Sequence, residues 1–126
     1  MSFENPSGRP SRLNAIAALT LASGILNLLW SAVAFLSVII LGFGTFLVGC
    51  ICLPLGVYPL VLGVLEIVYA LRLLRDPVSP SLRPAYYIAV MEIIDTLFGN
   101  VAALIVGVLS LILYNDRAVR HYFGDT

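Results

Sequence analysis

The chain has 126 residues, of which 60% are hydrophobic and 11% are charged, and its formal net charge is zero. Soluble globular proteins carry about 25% charged residues, so this composition predicts an all-α integral membrane protein and excludes a chain built around a soluble domain. All seven basic residues are Arg and lie outside the long apolar stretches, so the chain has no extended basic patch for a nucleic-acid partner.

The first apolar stretch contains no Asp, Glu, Lys or Arg between Leu13 and Leu65. A membrane span needs about 20 apolar residues, so this stretch predicts two crossings. Gly and Thr favour turns, and the motif LGFGTF at 41–46 therefore predicts the turn between the two helices. Pro54 and Pro59 should bend the second helix, because each removes a backbone hydrogen bond.

A proline-rich loop, PVSPSLRP at 77–84, separates the first apolar stretch from the second. Its prolines cannot continue a helix. Arg72, Arg75 and Arg83 flank the loop, and the positive-inside rule places such a loop in the cytoplasm. The expected location is the plasma or inner membrane, with the N-terminus and the 75–83 loop on the cytoplasmic side.

The second apolar stretch, 84–114, allows two interpretations. A single helix is favoured because small and polar residues recur at steps of three and four throughout it, and because hairpin arms of about 15 residues would be shorter than the bilayer core of roughly 30 Å. A hairpin that turns at Gly99 and Asn100 is favoured by these turn-forming residues, and it would place Arg117 and Arg120 on the same side as every other Arg. We expect a bundle of three long transmembrane helices, with four spans as the alternative.

The three-helix interpretation treats the chain as one membrane domain. The C-terminal tail has its apolar and Arg residues on different faces, which is typical of a short interfacial helix. The expected segments are a polar N-terminal tail over 1–12, helix 1 over 13–40, helix 2 over 45–74, the cytoplasmic loop over 75–83, helix 3 over 84–114 and the interfacial tail over 115–126.

Small residues recur at helical spacing along the second and third predicted helices. Such positions let helix backbones approach closely, which is how membrane helices associate. They predict a small-residue seam consisting of Gly42, Gly49, Gly56, Gly63, Gly99, Ala103 and Gly107.

Several polar side chains lie inside the apolar stretches, although a carboxylate at the bilayer centre costs roughly 2.5 to 3.5 kcal/mol. Glu66 and Glu92 should lie at similar depth on neighbouring helices, where they would share a proton or form a cation site. The further oxygen donors of such a cation site would be Asn27, Thr96 and Asn100. Alternatively, Glu66 and Glu92 are neutral or Arg-paired groups that fix helix register. Asp95 lies off the seam and marks either a subunit contact or the cap of a turn. The intramembrane polar candidates are Glu66, Glu92, Asp95, Asn27 and Asn100.

The sequence contains no recognisable catalytic or metal-binding set. Cys50 and Cys52 would point in different directions on a helix with no third ligand nearby, so both are interpreted as packing residues. No Ser, His and Asp set and no phosphate-binding loop is evident. We therefore expect neither an enzyme nor a cofactor.

Two functional hypotheses remain. The first is a structural or accessory subunit that binds the lipid bilayer, other membrane subunits or a second copy of itself through the small-residue seam. The second is an oligomeric channel or transporter, in which the intramembrane carboxylates carry protons or cations.

Two segments carry a resemblance to known proteins. YPLVLGVLEIVYALRLL, an Arg-bearing loop and IAVMEIIDTLFGNVAALIVGVLSLIL together resemble the second span, cytoplasmic loop and third span of the membrane-spanning four-domain family, the tetraspans that include the B-lymphocyte surface antigen. The C-terminal GVLSLILYNDRAVRHYF also resembles small bacterial multipass proteins of unknown function. Either resemblance implies an oligomeric, non-enzymatic membrane protein, and neither implies a site residue.

Overall fold

A computed structural model describes residues 9–42, 46–75 and 82–124, and every element in these residues is helical. The all-α prediction is therefore confirmed for them. The elements are α1 (Ser11–Gly42), α2 (Phe46–Leu74), α3 (Tyr86–Asp95), a 3-10 helix (Thr96–Phe98), α4 (Val101–Tyr114) and α5 (Arg117–Tyr122).

Two of these helices are long and apolar enough to cross a membrane, over Ser11–Ile40 and Gly49–Leu74. They agree with the predicted helices 1 and 2, and α2 continues through both Pro54 and Pro59. The predicted turn at 43–45, most of the Pro-rich loop (76–81), residues 1–8 of the N-terminal tail and the last two residues lie outside the described residues.

The prediction of one helix over 84–114 is wrong. The chain leaves the helical path at Gly99, which has a φ of 90° in the left-handed region that glycine favours. The rings of Tyr86 and Tyr114 lie 5.3 Å apart between centroids, whereas a straight helix would separate these residues by about 42 Å. α3 and α4 therefore form an antiparallel hairpin, as the alternative interpretation had it.

The continuous stripe of small residues that favoured one helix has a different explanation. Glu92 in α3 and Ala103, Gly107 and Ser110 in α4 are all buried, whereas Gly99 in the turn is exposed. Each arm of the hairpin buries its own stripe of small or polar residues. Each stripe faces the interior on its own helix, so the regular spacing does not require one continuous helix.

The helices alternate in direction around the bundle. α1 packs on α2 and α4, while α3 packs on α4 and α2. Ser31 Oγ donates to the Gly56 carbonyl at 2.7 Å between α1 and α2, and Tyr58 Oη donates to the Met91 carbonyl at 2.9 Å between α2 and α3. An ion pair of Arg12 with Asp116 joins the start of α1 to the start of α5.

This connectivity brings all the Arg side chains to one end of the bundle, which we call the Arg end. Two precede or begin α1, two end or follow α2, one precedes α3 and two lie in α5. Only Arg9 among them is buried, and it donates to the Leu73 carbonyl at the end of α2. The seven are Arg9, Arg12, Arg72, Arg75, Arg83, Arg117 and Arg120.

The α3–α4 hairpin is much shorter than the α1–α2 hairpin. Its turn lies beside the middle of α1, because a Cβ on Gly99 would meet Trp30 at 3.6 Å. Beyond Trp30, α1 continues for 12 residues to Gly42, which is about 18 Å. This distal half of the α1–α2 pair extends past the second hairpin.

Candidate functional site: an interior polar cluster

Close approaches at glycines shape the interior of the bundle. A Cβ on Gly63 of α2 would lie 2.8 Å from the Gly24 carbonyl oxygen of α1, and one on Gly107 of α4 would lie 2.7 Å from the Ala89 carbonyl oxygen of α3. Both distances are too short for any side chain, so only glycine permits this backbone packing. The two pairs of helices therefore come together at Gly24 and Gly63, and at Ala89 and Gly107.

A glutamate lies directly beside each of these contacts. A Cβ on Gly24 would lie 3.1 Å from Glu66 Cβ, and a Cβ on Gly107 would lie 3.1 Å from Glu92 Cβ. Glu66 is 0% exposed and Glu92 is 1% exposed. The same small residues that bring the helices together thus lie against the two glutamate side chains.

A chain of side-chain hydrogen bonds links the second hairpin to α1 and α2. Asn100 Nδ2 donates to Asp95 Oδ2 at 2.9 Å and also to Asn27 Oδ1. Asn27 Nδ2 in turn donates to Glu66 Oε2 at 2.7 Å. The four residues form one polar network, which extends from the hairpin turn into the α1–α2 interface.

Asn100 has a second role as the N-cap of α4. Its Oδ1 accepts a hydrogen bond from the backbone N–H of Ala103 at 3.3 Å. Both amide hydrogens are used by Asp95 and Asn27, so the side chain is held on all sides. Asp95, interpreted from the sequence as a subunit contact or the cap of a turn, accepts a hydrogen bond across the hairpin turn from the residue that caps α4.

The four remaining carboxyl oxygens of the cluster have no partner. Both oxygens of Glu92, Oε1 of Glu66 and Oδ1 of Asp95 are buried and have no hydrogen-bond partner. The Glu66 and Glu92 carboxyl groups face each other, with Ser23 of α1 beside both. Buried polar groups in proteins are nearly always hydrogen-bonded, so this concentration of unpartnered carboxyl oxygens is unusual.

The cluster contains acids without a compensating base. In the described part of the chain, none of the hydrogen bonds or ion pairs joins an Arg to Glu66, Glu92 or Asp95. The Arg-paired interpretation of these acids therefore finds no support there. Two ionised carboxylates cannot face each other in a dry interior at low cost, because their repulsion adds to the desolvation of each charge. Protonation of one of the two glutamates would remove this repulsion.

The structure places the other predicted polar and seam residues differently. Thr96 lies in the 3-10 helix with an unpartnered hydroxyl, outside the hydrogen-bonded network. Gly56 packs against the Phe35 ring, and Gly49 has nothing within 4 Å of a Cβ. Ala103 is buried in α4. Gly42 is the last residue of α1, and its surroundings lie outside the described residues.

Some neighbours of the cluster were missed by sequence reasoning. Ser23 is 2% exposed and lies beside both glutamates. Tyr58 stacks on Phe98 with ring centroids 4.7 Å apart and fastens the turn of the second hairpin to α2. Ser23 is one turn before Asn27 on the same helical face, which is the one signal that could have revealed it.

The described residues contain no group of three or more His, Cys, Asp or Glu side chains arranged to hold a metal ion. Comparisons of the chain with protein-family models, curated proteins and solved structures give no match. The resemblance to the membrane-spanning four-domain family therefore stays a prediction.

Proposed function

We propose that the chain is an integral membrane protein in which α1 and α2 cross the bilayer and the α3–α4 hairpin enters from the Arg end without reaching the other side. Large apolar side chains are exposed on all four helices, for example Leu29, Ile51, Val90 and Ile105. Lipid is the solvent that such a surface requires. The Arg end then faces the cytoplasm by the positive-inside rule.

The depth of the second hairpin follows from helix geometry. α3 and the 3-10 helix together have 13 residues and α4 has 14, which corresponds to arms of about 20 Å at 1.5 Å per residue. The bilayer core is about 30 Å thick, so the turn ends within it. Irregular backbone is tolerated at that depth only where its polar groups are satisfied by protein. Here the Gly99 N–H donates to the Thr96 carbonyl at 3.0 Å, and the Ala103 N–H donates to the Asn100 carbonyl at 3.2 Å.

The biochemical role that we propose is that of a structural or accessory subunit. The observation that supports it is the distal half of the α1–α2 pair, which lacks the cover that the second hairpin gives to the proximal half. Val33, Leu36, Ile39 and Ile51 are all more than half exposed there. This surface, rather than the small-residue seam, is the proposed contact with a second copy of the chain, because Gly24, Gly63 and Gly107 are used within one chain.

Cross-linking of the purified protein tests this role. Cys50 is exposed on the distal half of α2, and a Cys52→Ser variant leaves it as the single thiol. In lipid nanodiscs, oxidation should produce a covalent dimer, and native mass spectrometry should show the same stoichiometry without oxidation. A Cys50→Ser, Cys52→Ser double variant is the control. A monomer in both measurements would contradict self-association through this surface.

A further inference from the structure

We infer that Glu66 and Glu92 form a proton-binding site at the centre of the bundle, which holds one exchangeable proton between the two hairpins. This function goes beyond the proposed subunit role. It requires only the folded bundle and no contact between copies of the chain.

All four long elements of the bundle contribute to the site. Glu66 comes from α2 and Glu92 from α3, while Ser23 of α1 lies beside both carboxyl groups. Gly107 of α4 lies beside the site, since a Cβ at this position would be 3.1 Å from Glu92 Cβ. The site therefore exists only when both hairpins are assembled, and protonation is linked to their packing.

Unpartnered oxygens point to a ligand. Glu92 is 1% exposed, and neither of its oxygens has a hydrogen-bond partner. Oε1 of Glu66 is also buried and unpartnered. A proton placed on one carboxyl group turns one of these acceptors into a donor, so that the facing carboxyl group can accept its O–H. One proton thus removes one charge and satisfies two oxygens.

The groups around the pair favour a proton. α3 contributes Asp95 and α4 contributes Tyr114, while α1 contributes the uncharged Ser23 and Asn27. None of these groups supplies a positive charge to balance two carboxylates. Two coupled acids of this kind titrate as a pair, and the first proton to bind belongs to both.

The orientation of Asn27 argues against a metal cation as the ligand. Its Nδ2 donates to Glu66 Oε2 at 2.7 Å, and its Oδ1 accepts from Asn100. Asn27 therefore turns its N–H group toward the glutamates. A Na⁺, Mg²⁺ or Ca²⁺ ion would need the carbonyl oxygen of Asn27 there instead. Glu66 and Glu92 alone supply too few oxygens for such an ion.

Infrared spectroscopy of the purified, folded protein tests this site directly. Wild-type protein with carbon-13 in the carboxyl groups of Glu should show a protonated-carboxyl C=O band at neutral pH that carries the isotope shift. The band should shift again in heavy water, because the proton exchanges. Absence of a shifted band in the Glu-labelled protein would overturn the proposal, and this measurement needs no variant.

Substitutions then assign the band. Glu92→Gln and Glu66→Gln should each abolish or displace it, because each removes one half of the shared site. Asp116→Asn, at the Arg end and outside the polar cluster, should leave it unchanged. Loss of the band in Asp95→Asn with no change in either Glu variant would assign the proton to Asp95 and overturn the proposal.

Discussion

Asn100 Nδ2 donates at once to Asp95 Oδ2, at 2.9 Å, and to Asn27 Oδ1, so that one side-chain amide holds the turn of the second hairpin closed and fastens it to the middle of α1. The same side chain caps α4 through the Ala103 N–H. Three structural requirements therefore depend on one residue.

We expect Asn100→Ala to destabilise the protein by about 1 to 3 kcal/mol, because it removes an N-cap and leaves Asp95 Oδ2 and Asn27 Oδ1 without a hydrogen-bond partner in the interior. Chemical denaturation in detergent, followed by circular dichroism, measures the loss. Asn115→Ala is the matched control, since Asn115 is exposed at the other end of α4 and bonds only the Leu111 carbonyl there. Equal effects of the two substitutions would contradict the role given to Asn100.

Gly107→Ala should destabilise the bundle by about 1 to 3 kcal/mol, because the added Cβ would lie 2.7 Å from the backbone oxygen of Ala89, which cannot rotate away. Gly63→Ala should destabilise the bundle to a similar extent, because its Cβ would lie 2.8 Å from the Gly24 carbonyl oxygen. Gly49→Ala serves as the control, since nothing lies within 4 Å of its Cβ. It should be neutral or slightly stabilising, because Ala is the better helix former. Thermal unfolding of the three variants in one detergent compares them.

The proposed membrane topology predicts that both termini lie on the cytoplasmic side. A C-terminal reporter fusion that is active only in the cytoplasm should therefore be active. An external C-terminus would support the three-span interpretation and would be incompatible with the hairpin. The test depends on the connectivity of the helices and is independent of any partner.

The depth of the hairpin turn can be tested separately. Leu97 is 84% exposed in the turn and should face lipid if the hairpin ends within the bilayer. In a variant with Cys50 and Cys52 replaced by Ser, Leu97→Cys should resist a membrane-impermeant maleimide from either side of sealed vesicles. Arg83→Cys, before α3 at the Arg end, is the positive control. Labelling of Leu97→Cys from the side opposite the Arg end would show that the hairpin crosses completely.

The ion pair between Arg12 and Asp116 should contribute little, because the Arg12 side chain is 58% exposed. We expect Arg12→Gln to cost at most about 1 kcal/mol and its effect to fade at high salt. Asp116→Ala should cost more, since Asp116 Oδ1 also accepts the Ala118 N–H at 3.0 Å and caps α5. Denaturation at low and high ionic strength separates the two contributions.

Sequence reasoning predicted the two long helices and misjudged the third apolar stretch. Hydrophobic length alone determines that Ser11–Ile40 and Gly49–Leu74 can cross a membrane, since neither helix needs a tertiary contact to satisfy its backbone. The break at Gly99 was evident as a possible turn, but local turn formers and a continuous helical stripe predict opposite structures. Only the packing of α3 against α4, through Ala89 and Gly107, decides between them.

For the polar cluster too, the sequence determined which residues are involved, and the tertiary structure decided how they contact one another. The sequence alone determined that Glu66, Glu92, Asp95, Asn27 and Asn100 lie in apolar surroundings, because hydrophobic residues flank each of them along the chain. The tertiary structure alone decided that Asn27 bonds both Glu66 and Asn100, and that Glu92 has no partner. Residues of α1, of α2 and at the N-cap of α4, up to 73 positions apart, make these contacts, and helical periodicity describes only one helix at a time.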